Sequence, residues 1–191
     1  MTLDKNFNYI VSGIERSGTS MLMQIINSGE IPIQFDDSRS ADRHNPKGYF
    51  ELEGGKIINK VMNGSFPFND YKGKFIKITA FGLQFLPPGN YKILYSERYI
   101  EEVLDSMEEM IGKKDKTRKK TKDSFIRLNK MVKKTLRNRK DVDFLIVNYN
   151  EALKNPKETI AKIIKFLDLD DSLLDKMTRA IDKKLYHQKG L

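Results

Sequence analysis

The chain has 191 residues, with 35 Lys and Arg against 26 Asp and Glu and a net charge of +9. It contains no cysteine, which excludes a disulfide scaffold and thiolate metal sites and favours a reducing compartment. No apolar run approaches the roughly 20 residues that a membrane helix needs, and the first ten residues lack the apolar core of a signal peptide, so we expect a cytoplasmic protein without a membrane partner.

The first predicted strand is FNYIVSG (7–13), and a helix over MLMQIINS follows it and ends at Gly29. Between them, Gly13 to Ser20 read G-I-E-R-S-G-T-S. This matches the nucleotide-binding P-loop pattern G-x-x-x-x-G-K-[ST], except that Thr19 stands in place of the lysine. The glycines let backbone N–H groups turn inward, and the following helix points its positive end at the loop. The pattern predicts an anion site, although a kinase or ATPase would lack the lysine that reaches the β- and γ-phosphates.

Three further apolar runs are predicted strands: KFIKIT (74–79), YKILYSER (91–98) and VDFLIVNY (142–149). Nearly continuous apolar blocks are typical of strands buried on both faces of a parallel sheet. Helical patterns separate the strands. One of them, IEEVLDSMEEMI, ends at Gly112, and another, TIAKIIKFL, follows Asn155 as a cap residue. Alternating strands and helices predict one domain over residues 1–191, with a three-layer α/β/α fold and a mainly parallel central sheet.

The positive charge is concentrated between Lys113 and Lys140. This segment contains 14 Lys and Arg against two Asp, a net charge of +12, so the rest of the chain carries −3. Around 121–138 a helix is predicted, with apolar residues at Phe125, Leu128, Met131 and Leu136. Two readings stay open, a solvated helix face and a patch for an anionic substrate. Nucleic acid is disfavoured because Phe125 is the only aromatic residue available for base stacking.

Two motifs carry a resemblance to a known family. IVSGIERSGTSML resembles the 5′-phosphosulfate loop of the sulfotransferases, whose pattern is roughly P-[KR]-S-G-T-[ST]. Arg16 stands at the basic position, while Glu15 replaces the usual proline. Arg98 ends the strand YKILYSER, and Ser106 lies eight residues later in the next helix. In the sulfotransferases, an Arg and a Ser at this spacing bind the 3′-phosphate of the cofactor.

Softer similarity extends the resemblance over most of the chain. HNPKGYFE (44–51), the strand–turn–helix at 148–169 and DKKLYHQKG (182–190) each resemble segments of sulfotransferase-like proteins. The resemblance implies a P-loop NTPase-like sulfotransferase fold. It also implies that the donor is 3′-phosphoadenosine 5′-phosphosulfate (PAPS) and the product is adenosine 3′,5′-bisphosphate (PAP). No metal is required, because a sulfuryl group carries less negative charge than a phosphoryl group.

The same resemblance implies roles for individual residues. Arg16 would stabilise the charge that develops on the bridging oxygen, and Arg98 and Ser106 would hold the 3′-phosphate. The residues that would bind the 5′ end of the cofactor are Arg16, Ser17, Gly18, Thr19 and Ser20.

The acceptor also needs a base, which the family places after the first helix or just before the second strand. That region, from about 30 to 72, has weak periodicity, and a loop so long in a compact domain is usually functional. Its candidates are Asp36, Asp37, Asp42, His44, Glu51 and Glu53. We place His44 first, then Glu51, which follows the apolar pair Tyr49–Phe50, and then Asp42.

The acceptor is predicted to be a small molecule, glycan or peptide with a hydroxyl or amine, and the basic segment points to an anionic one. Two alternatives remain: a P-loop-type nucleotide-binding protein or kinase, and a catalytically inactive relative that binds polyanions. Binding of PAP, of magnesium and ATP, or of nucleic acid alone would distinguish the three.

Overall fold

The computed structural model of the chain describes residues 2–182. Its strands are β1 (Asn8–Gly13), β2 (Phe75–Lys77), β3 (Tyr91–Glu97) and β4 (Val142–Asn148). Its α-helices within that range are α1 (Thr19–Ser28), α2 (Ile57–Met62), α3 (Ile100–Ile111), α4 (Arg118–Arg137), α5 (Tyr149–Lys154), α6 (Pro156–Leu167) and α7 (Leu174–Arg179). Short 3₁₀ turns lie at Glu53–Gly55, Phe68–Tyr71, Ala80–Phe85 and Asp171–Leu173.

The four strands form one parallel sheet in the order β2-β1-β3-β4. Each predicted apolar run supplies one of these strands. The central strand β1 pairs on both sides, with Ile10 opposite Ile76 of β2 and opposite Ile93 of β3. Because parallel strands end at the same edge, the segments after β1, β2 and β3 meet beyond that edge. The predicted mainly parallel α/β sheet is confirmed.

Each face of the sheet carries its own apolar core, which gives the fold three layers. On one face, Ile10 and Ile93 pack with Val103 of α3 and Val132 of α4. The other face buries Val11 against α1, α6 and α7. Neighbouring residues of β1 therefore point into different cores, as expected for a strand covered on both sides.

The helix ends agree with the sequence only in part. Gly112 has φ 70° and ends α3 in the left-handed conformation, as predicted. Gly29 has φ −76°, and the left-handed residue after α1 is Glu30 instead. Asn155 precedes α6, but its side chain makes no capping hydrogen bond and instead donates to Glu151 of α5. Because the Asn155 side chain is engaged with Glu151, the start of α6 is favoured by Pro156 at its first position.

The basic helix α4 starts earlier than predicted, and one of its four predicted inward residues is exposed instead. Phe125, Leu128 and Leu136 pack on the core as expected, but Met131 is 45% exposed and Val132 is buried in its place. The predicted closing segment 182–190 lies outside the described residues except for Asp182.

Candidate active site

The loop between β1 and α1 is tightly closed. A Cβ atom at Gly13 would lie 2.4 Å from Ser17 Oγ, and one at Gly18, where φ is 105°, would lie 2.3 Å from Tyr149 Cδ2. Ser17 Oγ donates to the Ile14 carbonyl at 2.7 Å, which folds the loop back on itself. Since the first N–H groups of an α-helix have no partner within the helix, those at the start of α1 are available to an anion in the loop.

Arg16 links this loop to α3. Its backbone adopts the left-handed conformation (φ 64°), and its Nε donates to Ser106 Oγ at 2.9 Å. Its Nη2 donates to the His44 carbonyl at 3.4 Å, so the same guanidinium also contacts the segment after α1. A non-glycine residue in this conformation is strained, and such strain is typical of functional loops.

Arg98 lies beside the same loop. Its Nη1 donates to the Arg16 carbonyl at 3.4 Å, and its Nε donates to Glu102 at 2.8 Å. The Tyr149 ring, which also covers Gly18, lies 4.6 Å from the Arg98 guanidinium carbon. The structure therefore brings the two sequence motifs, at 13–20 and at 98–106, to one place. The motifs are far apart in sequence, but they follow β1 and β3, which are neighbouring parallel strands and end at the same edge of the sheet.

Lys77, which sequence reasoning missed, lies at the centre of the remaining polar contacts. It ends β2, its side chain is only 9% exposed, and its Nζ donates to Ser20 Oγ (3.1 Å), the Tyr49 carbonyl (2.9 Å) and Glu51 Oε1 (3.0 Å). Burial lowers the pKa of Lys77, while the carboxylate of Glu51 opposes that shift. The available signal was a lysine between two isoleucines in KFIKIT, at the carboxyl end of a buried strand.

Glu51 is a predicted base whose side chain the structure connects to the loop through Lys77. It accepts from Lys77 on one side and from Arg39 Nη1 at 3.0 Å on the other, and its side chain is 13% exposed. Through Lys77 it is connected to Ser20, the last residue of the anion-loop motif.

His44 and Asp42 are engaged differently. His44 Nε2 accepts from Arg43 Nε at 3.1 Å, while its backbone carbonyl contacts Arg16. Asp42 accepts from the backbone N–H groups of His44 and Asn45 and, at 2.8 Å, from the Tyr49 hydroxyl. Burial raises the pKa of Asp42, but these hydrogen bonds outweigh it and leave the pKa lowered. Asp42 thus shapes the loop, and it binds protons poorly.

The other acidic candidates are also occupied. Asp36 accepts from Ser38 and from the backbone N–H of Glu53, and these bonds lower its pKa. Glu53 itself pairs with Lys60. Lys47 pairs with Asp182 at 3.3 Å. Within residues 2–182, the carboxylate of Asp37 accepts no hydrogen bond and forms no ion pair.

These groups surround a cavity of about 980 Å³. The anion loop, Arg98 and Ser106 line one part of it, and Lys77 with Glu51 line another. The lining also includes apolar side chains, among them Ile58, Ile78, Phe81 and Met110. The cavity therefore offers cationic groups, a shielded carboxylate and apolar side chains in one space. Within residues 2–182 no cluster of His, Asp or Glu side chains has the geometry to hold a metal ion.

None of the helices between residues 2 and 182 is both long and apolar enough to cross a membrane.

Comparisons with known proteins point to one family. A family model described as "Sulfotransferase domain" matches residues 8–189. Among solved structures, the mouse sulfotransferase SULT7A1 complexed with PAP is similar at a TM-score of 0.58 and 17% identity, over 99% of this chain and 69% of that one. Among curated proteins there is no match.

Two further structures share the fold. The sulfotransferase domain of the Synechococcus PCC 7002 olefin synthase is similar at a TM-score of 0.55 and 16% identity, over 98% of this chain and 84% of that one. Retinol dehydratase in a complex with retinol and PAP is similar at a TM-score of 0.52 and 20% identity, over 93% and 64% of the respective chains. At these identities the structural likeness shows the fold.

Proposed function

The chain belongs to the sulfotransferase domain family, and we propose that it moves a sulfuryl group from PAPS to a hydroxyl or amine of an acceptor, with residues 1–191 acting as one cytoplasmic domain. The observation that carries the proposal is the contact between the two motifs. Arg16 Nε donates to Ser106 Oγ at 2.9 Å, and Arg98 donates to the Arg16 carbonyl. One adenosine bisphosphate can therefore reach both.

The residues present fit such a donor. The loop at 13–20 offers helix N–H groups and the Arg16 guanidinium, and its glycines leave no room for a Cβ atom. Arg98 and Ser106 provide a planar cation and a hydroxyl close by. Two solved structures of this fold are complexes with PAP, which supports the assignment of the same nucleotide here. When bound, PAPS supplies an activated sulfuryl group whose S–O bond to the 5′-phosphate breaks, leaving PAP.

The chain's own residues would stabilise the charge that this bond cleavage creates. Arg16 stays charged at all working pH values, so it stabilises an oxyanion better than it donates a proton. Lys77 lies against Ser20 of the loop and is shielded from water, where its charge acts more strongly than in solution. The helix N–H groups of Thr19 and Ser20 add fixed donors at the same point.

Glu51 is the base that we propose for the acceptor proton. It lies in the cavity, shielded from water, and Arg39 and Lys77 hold its carboxylate in place. The acceptor oxygen or nitrogen would form the new bond to sulfur as its proton passes to Glu51. We place Glu51 ahead of His44 because the Nε2 atom of His44 already accepts a hydrogen bond from Arg43.

A direct test is the binding of PAP measured by calorimetry. Removing Arg98 alone would take away the ion pair that the buried carboxylate of Glu102 forms with it and would destabilise the fold. The variant to use is therefore Arg98→Gln with Glu102→Gln, which we expect to weaken PAP binding at least about tenfold. A matched control, Arg139→Gln with Asp141→Asn, removes an ion pair outside the cavity and should bind PAP like the wild type.

The remaining alternatives give different results in the same experiment. Magnesium-dependent binding of ATP with no affinity for PAP would favour a nucleotide kinase and would refute the proposal. Tight binding of PAP without release of PAP from PAPS, across a panel of hydroxyl and amine acceptors, would identify an inactive relative. Glycans and peptide acids belong in that panel, because the cations around the cavity favour an anionic acceptor.

A further inference from the structure

The outward side of α4 carries many Lys and Arg side chains that form no ion pair within residues 2–182. Its exposed cations, which we call the cationic face, are Lys119, Lys120, Arg127, Lys130, Lys134 and Arg137. None of the six forms an ion pair with a carboxylate in the part of the chain from 2 to 182. The helix has 20 residues, so the face extends over about 30 Å.

The other cations of α4 behave differently. Arg118 pairs with Glu101, Asp105 and Glu108, and Lys133 pairs with Glu97 at 2.6 Å. The inward side buries Val132 and Leu136 against the sheet. The acidic partners therefore belong to α3 and to the end of β3, and α4 packs on the sheet with its cationic face outward.

Aliphatic side chains accompany the exposed cations. Ile126 is 46% exposed and Met131 is 45% exposed, and both border the cationic face. Ile111, the last residue of α3, is 64% exposed. A cation in water gains nothing from an adjacent exposed aliphatic group, whereas the boundary of a bilayer offers headgroup phosphates and acyl chains at once.

We propose that the cationic face docks on the surface of an anionic lipid bilayer. The six cations contact phosphate and carboxylate headgroups, and Ile126 and Met131 reach the edge of the acyl region. Clusters of four to eight Lys and Arg on a helix bind anionic membranes in this way. This reverses the expectation of no membrane partner, because hydropathy detects segments that cross a membrane and not charged surfaces that lie on it.

A soluble polyanion fits these observations less well. Within α4, every residue of which is described, no aromatic side chain is exposed, so there is no platform for stacking bases. A nucleic acid or sulfated glycan would contact the cations and leave Ile126 and Met131 without a role. The proposal is independent of sulfuryl transfer, since it depends only on α4.

The experiment is co-sedimentation of the full chain with vesicles, either of phosphatidylcholine alone or containing phosphatidylserine. We expect binding only to the second kind, weakened as salt is raised. In the test variant, Arg127, Lys130, Lys134 and Arg137 are replaced by Gln, and binding should fall at least about tenfold. The matched control replaces four exposed lysines elsewhere with Gln and so removes the same net charge: Lys5, Lys74, Lys154 and Lys165.

The results distinguish a lipid surface from a soluble polyanion as the partner of the cationic face. An equal loss in both quadruple variants would overturn the proposal, because binding would then depend on net charge alone. So would absence of vesicle binding by a wild type that binds duplex DNA or a sulfated glycan. Ile126→Ser with Met131→Ser should weaken vesicle binding severalfold without changing the net charge, and an unchanged partition would overturn the choice of a lipid surface. Thermal unfolding of each variant checks that the fold is kept.

Discussion

Two groups of cations in this protein differ in what surrounds them. In the cavity, Arg16, Lys77 and Arg98 are partly or fully shielded from water, and each is held by hydrogen bonds. Arg16 donates to Ser106, Lys77 donates to Glu51, and Arg98 donates to Glu102. On the cationic face of α4, the side chains are exposed and make no ion pair with any carboxylate of residues 2–182. The cationic face has six cations and the cavity group three, so the number of positive charges does not identify the site for chemistry.

The distinction lies in burial and fixed geometry. A buried, oriented cation acts in a low dielectric and loses little entropy when an anion arrives. An exposed lysine is screened by salt and must be ordered on binding, so it contributes about 1 kcal/mol or less. The cavity should therefore govern turnover, and α4 should govern association.

The largest expected effect comes from a carboxylate held by two cations. Glu51 accepts from Lys77 and Arg39 in the cavity, while Glu101 accepts from Arg118 and Lys122 at the surface. We expect Glu51→Gln to lower the turnover number by about 10²–10⁴, the usual contribution of a general base, with PAP affinity nearly unchanged. Glu101→Gln should leave turnover intact. Loss of activity in both variants would remove the contrast between the two regions.

Next comes the loop cation. Arg16→Ala removes one charged donor from the anion loop, and we expect sulfuryl transfer to fall by about 10²–10³ while the fold is kept. Arg16→Lys retains the charge and should recover part of the rate. The control is Arg127→Ala on the cationic face, which should transfer sulfuryl at the wild-type rate. Full activity in Arg16→Ala would show that the catalytic assignment is wrong.

Arg139, two residues after the end of α4, forms an ion pair with Asp141, unlike the residues of the cationic face. The contribution of this pair to stability can be tested by varying the pH. Hydrogen bonds from Arg139 lower the pKa of Asp141 below its ordinary value of 3.8, with burial opposing them and the Gly89 N–H assisting. Because the folded-state pKa is depressed, the stabilisation is complete above 3.8 and is lost as the pH falls through the folded-state value.

Asp141→Asn should lower the free energy of unfolding by about 1 kcal/mol at neutral pH, measured by urea unfolding. The difference from the wild type should shrink as the pH falls below 3.8. Arg137→Gln, two residues earlier but unpaired, should show no such dependence on pH. A difference for Asp141→Asn that persists unchanged in acid would contradict the assignment.

The sequence predicts the strands well for a physical reason. Runs such as YKILYSER bury both faces, so their composition alone separates them from helices, and their order places the ends of β1 and β3 at one edge. The proximity of Arg16 to Ser106 follows from that edge. Lys77 could not be assigned in this way, because its role depends on Tyr49 and Glu51, which reach it from a loop without periodicity.

The loop around Asp42 shows the same limit. Asp42 is held by Tyr49 and by two backbone N–H groups, contacts that no spacing rule indicates. The inward face of α4, by contrast, follows helical spacing. Phe125, Leu128, Val132 and Leu136 recur every three or four residues, which places Val132 on that face and Met131 beside it.

The smallest expected effects are changes in the free energy of unfolding when either of two nearby lysines of α4, Lys130 or Lys133, is replaced. Lys130 lies three residues from Arg127 and Lys133 and four from Lys134, so it takes part in three repulsive pairs, whereas Lys133 also pairs with Glu97 at 2.6 Å. Lys130→Gln should therefore raise the free energy of unfolding by about 0.6–1.5 kcal/mol, and Lys133→Gln should lower it by about 0.2–1 kcal/mol. Urea unfolding at low salt measures both, and raising the salt should shrink both, since exposed charges are screened. Changes of the same sign would mean that helix propensity, not the pairing of each charge, sets the difference, and the contrast between paired and unpaired cations would not hold for stability.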